Sequence, residues 1–370
     1  MAGSKRRPEF VAPLYIAWEV TLQCNARCIH CYSESGPGIH HPRELSTGAA
    51  LDVIDQLADA GVMVLAFSGG EPLLRHDIFD LIERAVSRDL VVNIASNGAL
   101  INHRMAKRLK QSGVRSVTIS LDGATAELHD SIRRFPGLFE KCVAAIRTLS
   151  ENGLNVVVSF TPMRLNYQDG PAVVELAVRL GAYGVNMSQY VPAGRGTVDL
   201  ALDPPVLRDV IQQWIEMRRA YLGRVKIIWH DCRVSLLVPP EEQDRYSGCG
   251  AGKLTARLRV DGTLTPCVFL PNAAGNVCEE PFTDIWEHSP LLHGFRNRSG
   301  ILDGNCGRCE HKLVCGGCRA VSMAHYGDPM KGDPSCWIYQ DDTVRSGTCS
   351  VTGEPEFVQL GTSNQQQAGP

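Results

Sequence analysis

The sequence contains no apolar run close to the eighteen or so residues needed to cross a membrane, so no membrane partner is expected. It also lacks a secretion signal. The basic start (Lys5, Arg6, Arg7) is followed by PEFVAPLY instead of an apolar segment, which points to the cytoplasm. Neither sign of charge dominates: 37 Lys and Arg face 40 Asp and Glu, a net of −3, so no nucleic-acid footprint is expected. With 44% apolar and 21% charged residues the chain is neither disordered nor fibrous, and 370 residues suit one large domain plus a smaller one. From 32 to 231 cysteine too is nearly absent, Cys142 standing alone.

Elsewhere cysteine is abundant, 14 in all. Cys24, Cys28 and Cys31 form C-x3-C-x2-C near the start, and Cys306, Cys309, Cys315 and Cys318 crowd together near the end. Disulfide scaffolds belong to short secreted chains, so clusters of cysteine in a long chain without a signal point to metal or redox centres.

The cysteine-poor middle alternates strand-like and helix-like segments. Apolar runs at 15–20, 62–68, 91–96, 114–121, 155–161 and 184–190 read as strands, apolar on both faces. Helical periods cover 46–60, 76–88, 102–112, 138–152, 170–180 and 204–222. In the first helix Leu51, Ile54, Leu57 and Ala58 share a face, Ser46 caps the start and Gly61 ends it. Strands buried on both faces and alternating with helices make a parallel sheet. The fold class expected is α/β, a partial (β/α)6 TIM-like barrel, with a doubly wound sheet as the weaker alternative. The divisions expected are an arm at 1–14, the barrel at 15–225, a cysteine-rich domain at 226–345 and a flexible tail at 346–370. Active sites of such sheets lie at the carboxyl ends of the strands.

The strand ends carry the motifs. After the first strand, three thiolates on one loop can hold three corners of a [4Fe–4S] cube and leave one iron open; a three-cysteine zinc site has the same ligand count. The second strand ends in Ser68-Gly69-Gly70-Glu71-Pro72, where paired glycines allow close approach to the backbone, and carbonyls and Glu71 can accept from an ammonium group.

The triple followed by aromatic Tyr32, GGEP one unit later, ASNG (95–98), ISLDG (119–123) and HDSIRR (129–134) together resemble the radical S-adenosylmethionine (SAM) superfamily. The resemblance implies that Cys24, Cys28 and Cys31 hold a cluster whose open iron chelates the methionine amine and carboxylate of SAM. It implies further that Gly69, Gly70 and Glu71 meet that amine, and that Ser96, Ser120 and Asp122 face ribose and carboxylate with Arg133 or Arg134 as counter-charge. The reaction implied is reductive cleavage to a 5′-deoxyadenosyl radical that removes hydrogen from an unactivated C–H bond, inside an apolar barrel.

The later cysteines follow C-x12-G-x4-C (Cys249, Gly262, Cys267) and C-x2-C-x5-C-x2-C-x17-C (Cys306, Cys309, Cys315, Cys318, Cys336). By spacing alone these fit one or two iron–sulfur clusters or structural zinc. With the first half they resemble the SPASM extension, which implies Cys306, Cys309, Cys315 and Cys336 on an outer cluster and Cys249, Cys267 and Cys318 on an inner one. The inner set lacks a fourth cysteine, a place for Cys232, Cys278, another residue or substrate. Cys142 and Cys349 are read as incidental. CGGCRA and PAGRG (192–196) resemble the subgroup with haem-pathway enzymes and the mycofactocin and PQQ maturases.

For substrate, a ribosomally made precursor peptide with a separate recognition protein is expected first. A tetrapyrrole propionate side chain and a sugar or nucleoside follow. Tyr190, Arg195, His230 and Asp231 are the substrate-side residues expected by position, an arginine suiting a carboxylate. A low-potential flavodoxin- or ferredoxin-type donor is the partner expected. An electron carrier or scaffold is the non-enzyme alternative, but it has no use for an open iron or for GGEP.

Overall fold

A computed structural model describes residues 11–338 apart from 244, 245 and 247. The tail expected at 346–370, with Cys349, lies outside the described residues, as does most of the N-terminal arm.

Seven parallel strands lie in sequence order: β1 (Tyr15–Glu19), β2 (Val64–Ser68), β3 (Val91–Ser96), β4 (Ser116–Ser120), β5 (Asn155–Phe160), β6 (Gly184–Met187) and β7 (Lys226–Trp229). The helices between them are α1 (Thr47–Asp59), α2 (Ile78–Ser87), α3 (His103–Gln111), α4 (Ala126–Arg133), α5 (Leu138–Glu151), α6 (Gly170–Arg179) and α7 (Pro204–Ala220). The Ser46 hydroxyl caps α1 by accepting from the Ala49 N–H at 3.4 Å, and Gly61 at φ +84° takes the left-handed turn after it. The buried stripe is Ala50, Val53, Ile54 and Leu57, turned from the expected face so that Leu51 and Ala58 lie at its margin.

The segment Ala126–Arg133 is a helix that periodicity does not reveal. It has only eight residues, and two of its buried side chains are His129 and Arg133. The strands also correct an expectation, because β3, β4 and β5 are not apolar on both faces. Val92, Ile94, Val117, Ile119, Val156, Val158 and Phe160 are buried toward the helices. The alternate positions Asn93, Thr118, Ser120 and Ser159 are half-buried and line the barrel interior with small polar groups.

The sheet continues across the boundary expected at 226. β7 pairs with β6 from Gly184↔Lys226 to Met187↔Trp229. On the other side, β8 (Thr255–Leu258) lies parallel to β1 from Tyr15↔Thr255 to Trp18↔Leu258, followed by antiparallel β9 (Thr263–Thr265) and β10 (Gly275–Asn276). The ten-stranded order β10-β9-β8-β1-β2-β3-β4-β5-β6-β7 leaves the barrel open, and the C-terminal cysteines reach it through the β1–β8 pairing.

Candidate active site

The loop after β1 gathers Cys24, Cys28 and Cys31 beside Ala26 and Phe135. Each sulfur meets a hydrogen-bonding group. The Ala26 N–H and Asn97 Nδ2 donate to Cys24 at 3.4 and 3.7 Å, Arg133 Nη1 donates to Cys28 at 3.7 Å, and Ser33 Oγ lies 3.4 Å from Cys31. Burial pushes the Cys24 thiol up to about 11 and raises Cys28, the latter opposed by Arg133. Thiols that resist ionisation alone, yet are faced by donors, suit sulfurs whose negative charge is shared with bound iron.

Two glycines let other loops close on this one. A Cβ on Gly69, at φ +128°, would lie 2.3 Å from the Thr21 carbonyl oxygen, and one on Gly194, at φ +58°, 2.5 Å from that of Cys31. Beside Gly194, Arg195 donates from Nε to the Cys28 carbonyl at 2.9 Å and from Nη2 to that of Ser35 at 2.8 Å. The structure thus sets Arg195 on the cluster loop itself, where it clamps the backbone.

Glu71 is buried, and its carboxylate accepts from Ser96 Oγ at 3.0 Å, the Asn97 N–H at 2.8 Å and the Leu73 N–H at 3.3 Å. Burial nevertheless raises its pKa to about 7. Its side chain, and the Ser96 hydroxyl with it, ties β2 to β3, which leaves the backbone of Gly69 and Gly70 as the part of GGEP suited to a ligand amine. Asp122, after β4, is wholly buried; Arg133 Nη2 lies 2.6 Å and His30 Nε2 3.3 Å from Oδ2, and the Thr161 N–H donates to Oδ1 at 3.0 Å. Burial pushes its carboxyl up, and Arg133, His30 and His129 more than reverse that. Ser120 sits at the end of β4, where its carbonyl accepts from the Cys142 thiol at 3.6 Å. Sequence reasoning missed His30 and Asn97, whose partners lie at other strand ends, and His129, whose Nδ1 accepts from the nearby Asp122 N–H at 3.0 Å, and it took Cys142 as incidental although its thiol also donates to the Asn97 carbonyl at 3.1 Å.

Of the substrate-side residues, Tyr190 donates its hydroxyl to the Thr197 carbonyl at 2.7 Å, bracing the PAGRG turn. Asp231 accepts from Arg233 Nε at 2.9 Å and Nη2 at 2.7 Å, and both side chains are buried. His230 alone of the four stays exposed, at the end of β7.

The C-terminal cysteines form two groups. Cys306, Cys309, Cys315 and Cys336 line one cavity together with Arg233 and Asp333. Donors again face the sulfurs. The Asp333 N–H and Arg319 Nη2 meet Cys306 at 3.3 and 3.4 Å, the His311 N–H meets Cys309 and the Gly317 N–H meets Cys315, both at 3.4 Å. Cys249, Cys267 and Cys318 share a second apolar cluster with Val191, Leu270 and Phe295. Among the described residues no three His, Cys, Asp or Glu side chains converge as ligands of one ion. Thiolates around a cluster stand farther apart, each on its own iron.

An α/β barrel with a thiol triad at its strand ends, joined to a cysteine-rich extension, defines the class, and the comparisons agree. The Radical SAM superfamily profile matches residues 18–177, and the SPASM iron–sulfur cluster-binding domain profile matches 249–310. An AdoMet-dependent heme synthase of Methanosarcina barkeri is 34% identical over 342 residues, 89% of this chain and 97% of its own. Mycofactocin maturase MftC of Mycobacterium tuberculosis is 33% identical over 337 residues, 88% and 83%. Streptococcus suis SuiB bound to S-adenosylmethionine superposes with a TM-score of 0.74 at 19% identity, covering 88% of this chain and 78% of that one. The chain belongs to the radical SAM superfamily, among the members that carry a SPASM domain. It is an enzyme whose cofactors are S-adenosylmethionine and iron–sulfur clusters, which removes the carrier alternative. No helix among the described residues is long and apolar enough to cross a membrane.

Proposed function

We propose that Cys24, Cys28 and Cys31 hold the SAM-binding [4Fe–4S] cluster. In the same reading Cys306, Cys309, Cys315 and Cys336 hold the outer auxiliary cluster, and Cys249, Cys267 and Cys318 the inner one. The observation that carries this reading is that each of the first three sulfurs is met by a hydrogen-bonding group on a loop clamped by Arg195. When bound, the cluster and SAM supply an electron and a 5′-deoxyadenosyl radical that takes hydrogen from an unactivated C–H bond. The protein's share is positional. Gly69 and Gly70 present backbone to the ligand amine, Glu71 and Ser96 fix the adjoining loop, and Arg133 with Asp122 fixes charge beside Cys28. A flavodoxin- or ferredoxin-type protein is the electron donor in this reading.

For substrate we assign a tetrapyrrole attacked at a propionate side chain. What supports it is mutual coverage: the chain spans 97% of the heme synthase but 83% of the mycofactocin maturase. A precursor peptide is the second reading, favoured by the 33% identity with that maturase. Reduced, reconstituted protein is incubated with SAM and either iron coproporphyrin III or a mycofactocin-type precursor peptide, and products are read by mass spectrometry. Decarboxylation of the tetrapyrrole is expected; modification of the peptide alone would reverse the order. Release of 5′-deoxyadenosine by a Cys24→Ala/Cys28→Ala/Cys31→Ala variant would sink the cluster assignment.

A further inference from the structure

The inner group has three cysteines where a fully protein-held [4Fe–4S] cluster takes four. The structure separates the two thiols the spacing left open. Cys278 is exposed and stands on the β9–β10 side, where a Cβ on Gly262 would lie 2.9 Å from its sulfur. Nothing brings it to Cys249, Cys267 or Cys318. Cys232 lies elsewhere. Its thiol hydrogen-bonds that of Cys315. Two contacts set this turn against the inner group: Arg233 lies 3.7 Å from Asp333, whose carboxylate accepts from the Cys318 N–H at 2.7 Å, and a Cβ on Gly248, the residue before Cys249, would lie 2.6 Å from the carbonyl oxygen of Cys315, the thiol that Cys232 meets.

The surroundings of Cys232 fix it there. It opens the short helical turn Cys232–Leu236, where Ser235 Oγ donates to its carbonyl at 2.7 Å. Its neighbours Asp231 and Arg233 form a buried pair at 2.7 Å, and Arg233 also lies 3.7 Å from Asp333, on the wall of the outer cavity. Cys315 belongs to the outer group, which already has four thiols. The inner group is the one with a place to fill.

We infer that Cys232 is the fourth protein ligand of the inner auxiliary cluster, so that this cluster is closed and substrate does not bind its iron. The inference rests on the reading that Cys249, Cys267 and Cys318 hold that cluster. It places one ligand on the segment joining the barrel to the C-terminal domain, which couples formation of the inner cluster to docking of the end of β7.

The test uses the full chain, reconstituted anaerobically, with iron content and electron paramagnetic resonance (EPR) as readouts. Cys232→Ala is expected to lose about a third of the bound iron, or to show a new three-iron signal on oxidation. Cys232→Ser, which offers an oxygen ligand, is expected to restore a four-iron cluster with an altered reduced spectrum, and Cys278→Ala to match wild type. Full iron and an unchanged spectrum in Cys232→Ala, with Cys249→Ala losing the inner signal, would overturn the Cys232 assignment alone. If Cys249→Ala also keeps every signal, the reading of the inner set fails and this inference with it.

Discussion

The two cysteine regions reach the same kind of chemistry by opposite routes. The barrel's three cysteines sit on one loop of eight residues and depend on other strand ends for support: Asn97 after β3, Arg133 after β4 and Arg195 after β6. The C-terminal thiols come from segments up to about a hundred residues apart, brought together by the strand pairing of β8 with β1 and by buried arginines. The first group thus rests on one local loop held by long-range contacts, whereas the C-terminal groups are themselves assembled from distant segments. The cationic surroundings differ in the same sense. One buried arginine, paired with Asp122, touches the first group, while Arg233 and Arg319 both stand at the outer group.

The largest effect should come from removing thiols on the C-terminal side. Cys306→Ala/Cys309→Ala should lose the outer cluster and all substrate turnover, yet still release 5′-deoxyadenosine within about tenfold of wild type; loss of that release would show the two regions to be inseparable. Removing a buried cation should come next. Arg319→Met and Arg133→Met each strip charge from beside a sulfur, which should make the outer and first cluster, respectively, harder to reduce in an anaerobic potentiometric titration. Arg133→Met also strands the Asp122 charge, so it should cost about 3–5 kcal/mol in apo-protein denaturation. A stability equal to wild type would show that Arg133 and Asp122 do not act as a pair.

The smallest effect is one of pH. Glu71 is raised from its ordinary 4.5 to about 7 by burial. The folded chain therefore holds a proton there that the unfolded chain gives up, and stability from this group is present below pH 4.5 and lost as pH rises toward 7. Relative to Glu71→Gln, apo wild type should lose up to about 3 kcal/mol between pH 5 and 8 in urea denaturation. Parallel pH profiles would show that the three donors around Glu71 offset its burial.

The sequence alone determined the alternation of strand and helix from β1 to α7, because each element's apolar period is local, and it marked the thiols, because ligand spacing on one loop is local too. It did not reveal α4, whose short polar face hides the period, β7, which has only four residues, or β8, whose partner β1 lies far away in the chain. Only the tertiary structure decided what the polar residues do. Glu71, Asp122, Arg195 and Asp231 look in sequence like groups aimed at a ligand. In the fold Glu71, Asp122 and Arg195 are held by donors or acceptors from other segments, and Asp231 by Arg233 two residues on; a buried charge left without partners costs more than the chain can spare. The same reason separates Cys232 from Cys278: spacing leaves both open, and only packing brings one of them to the other thiols.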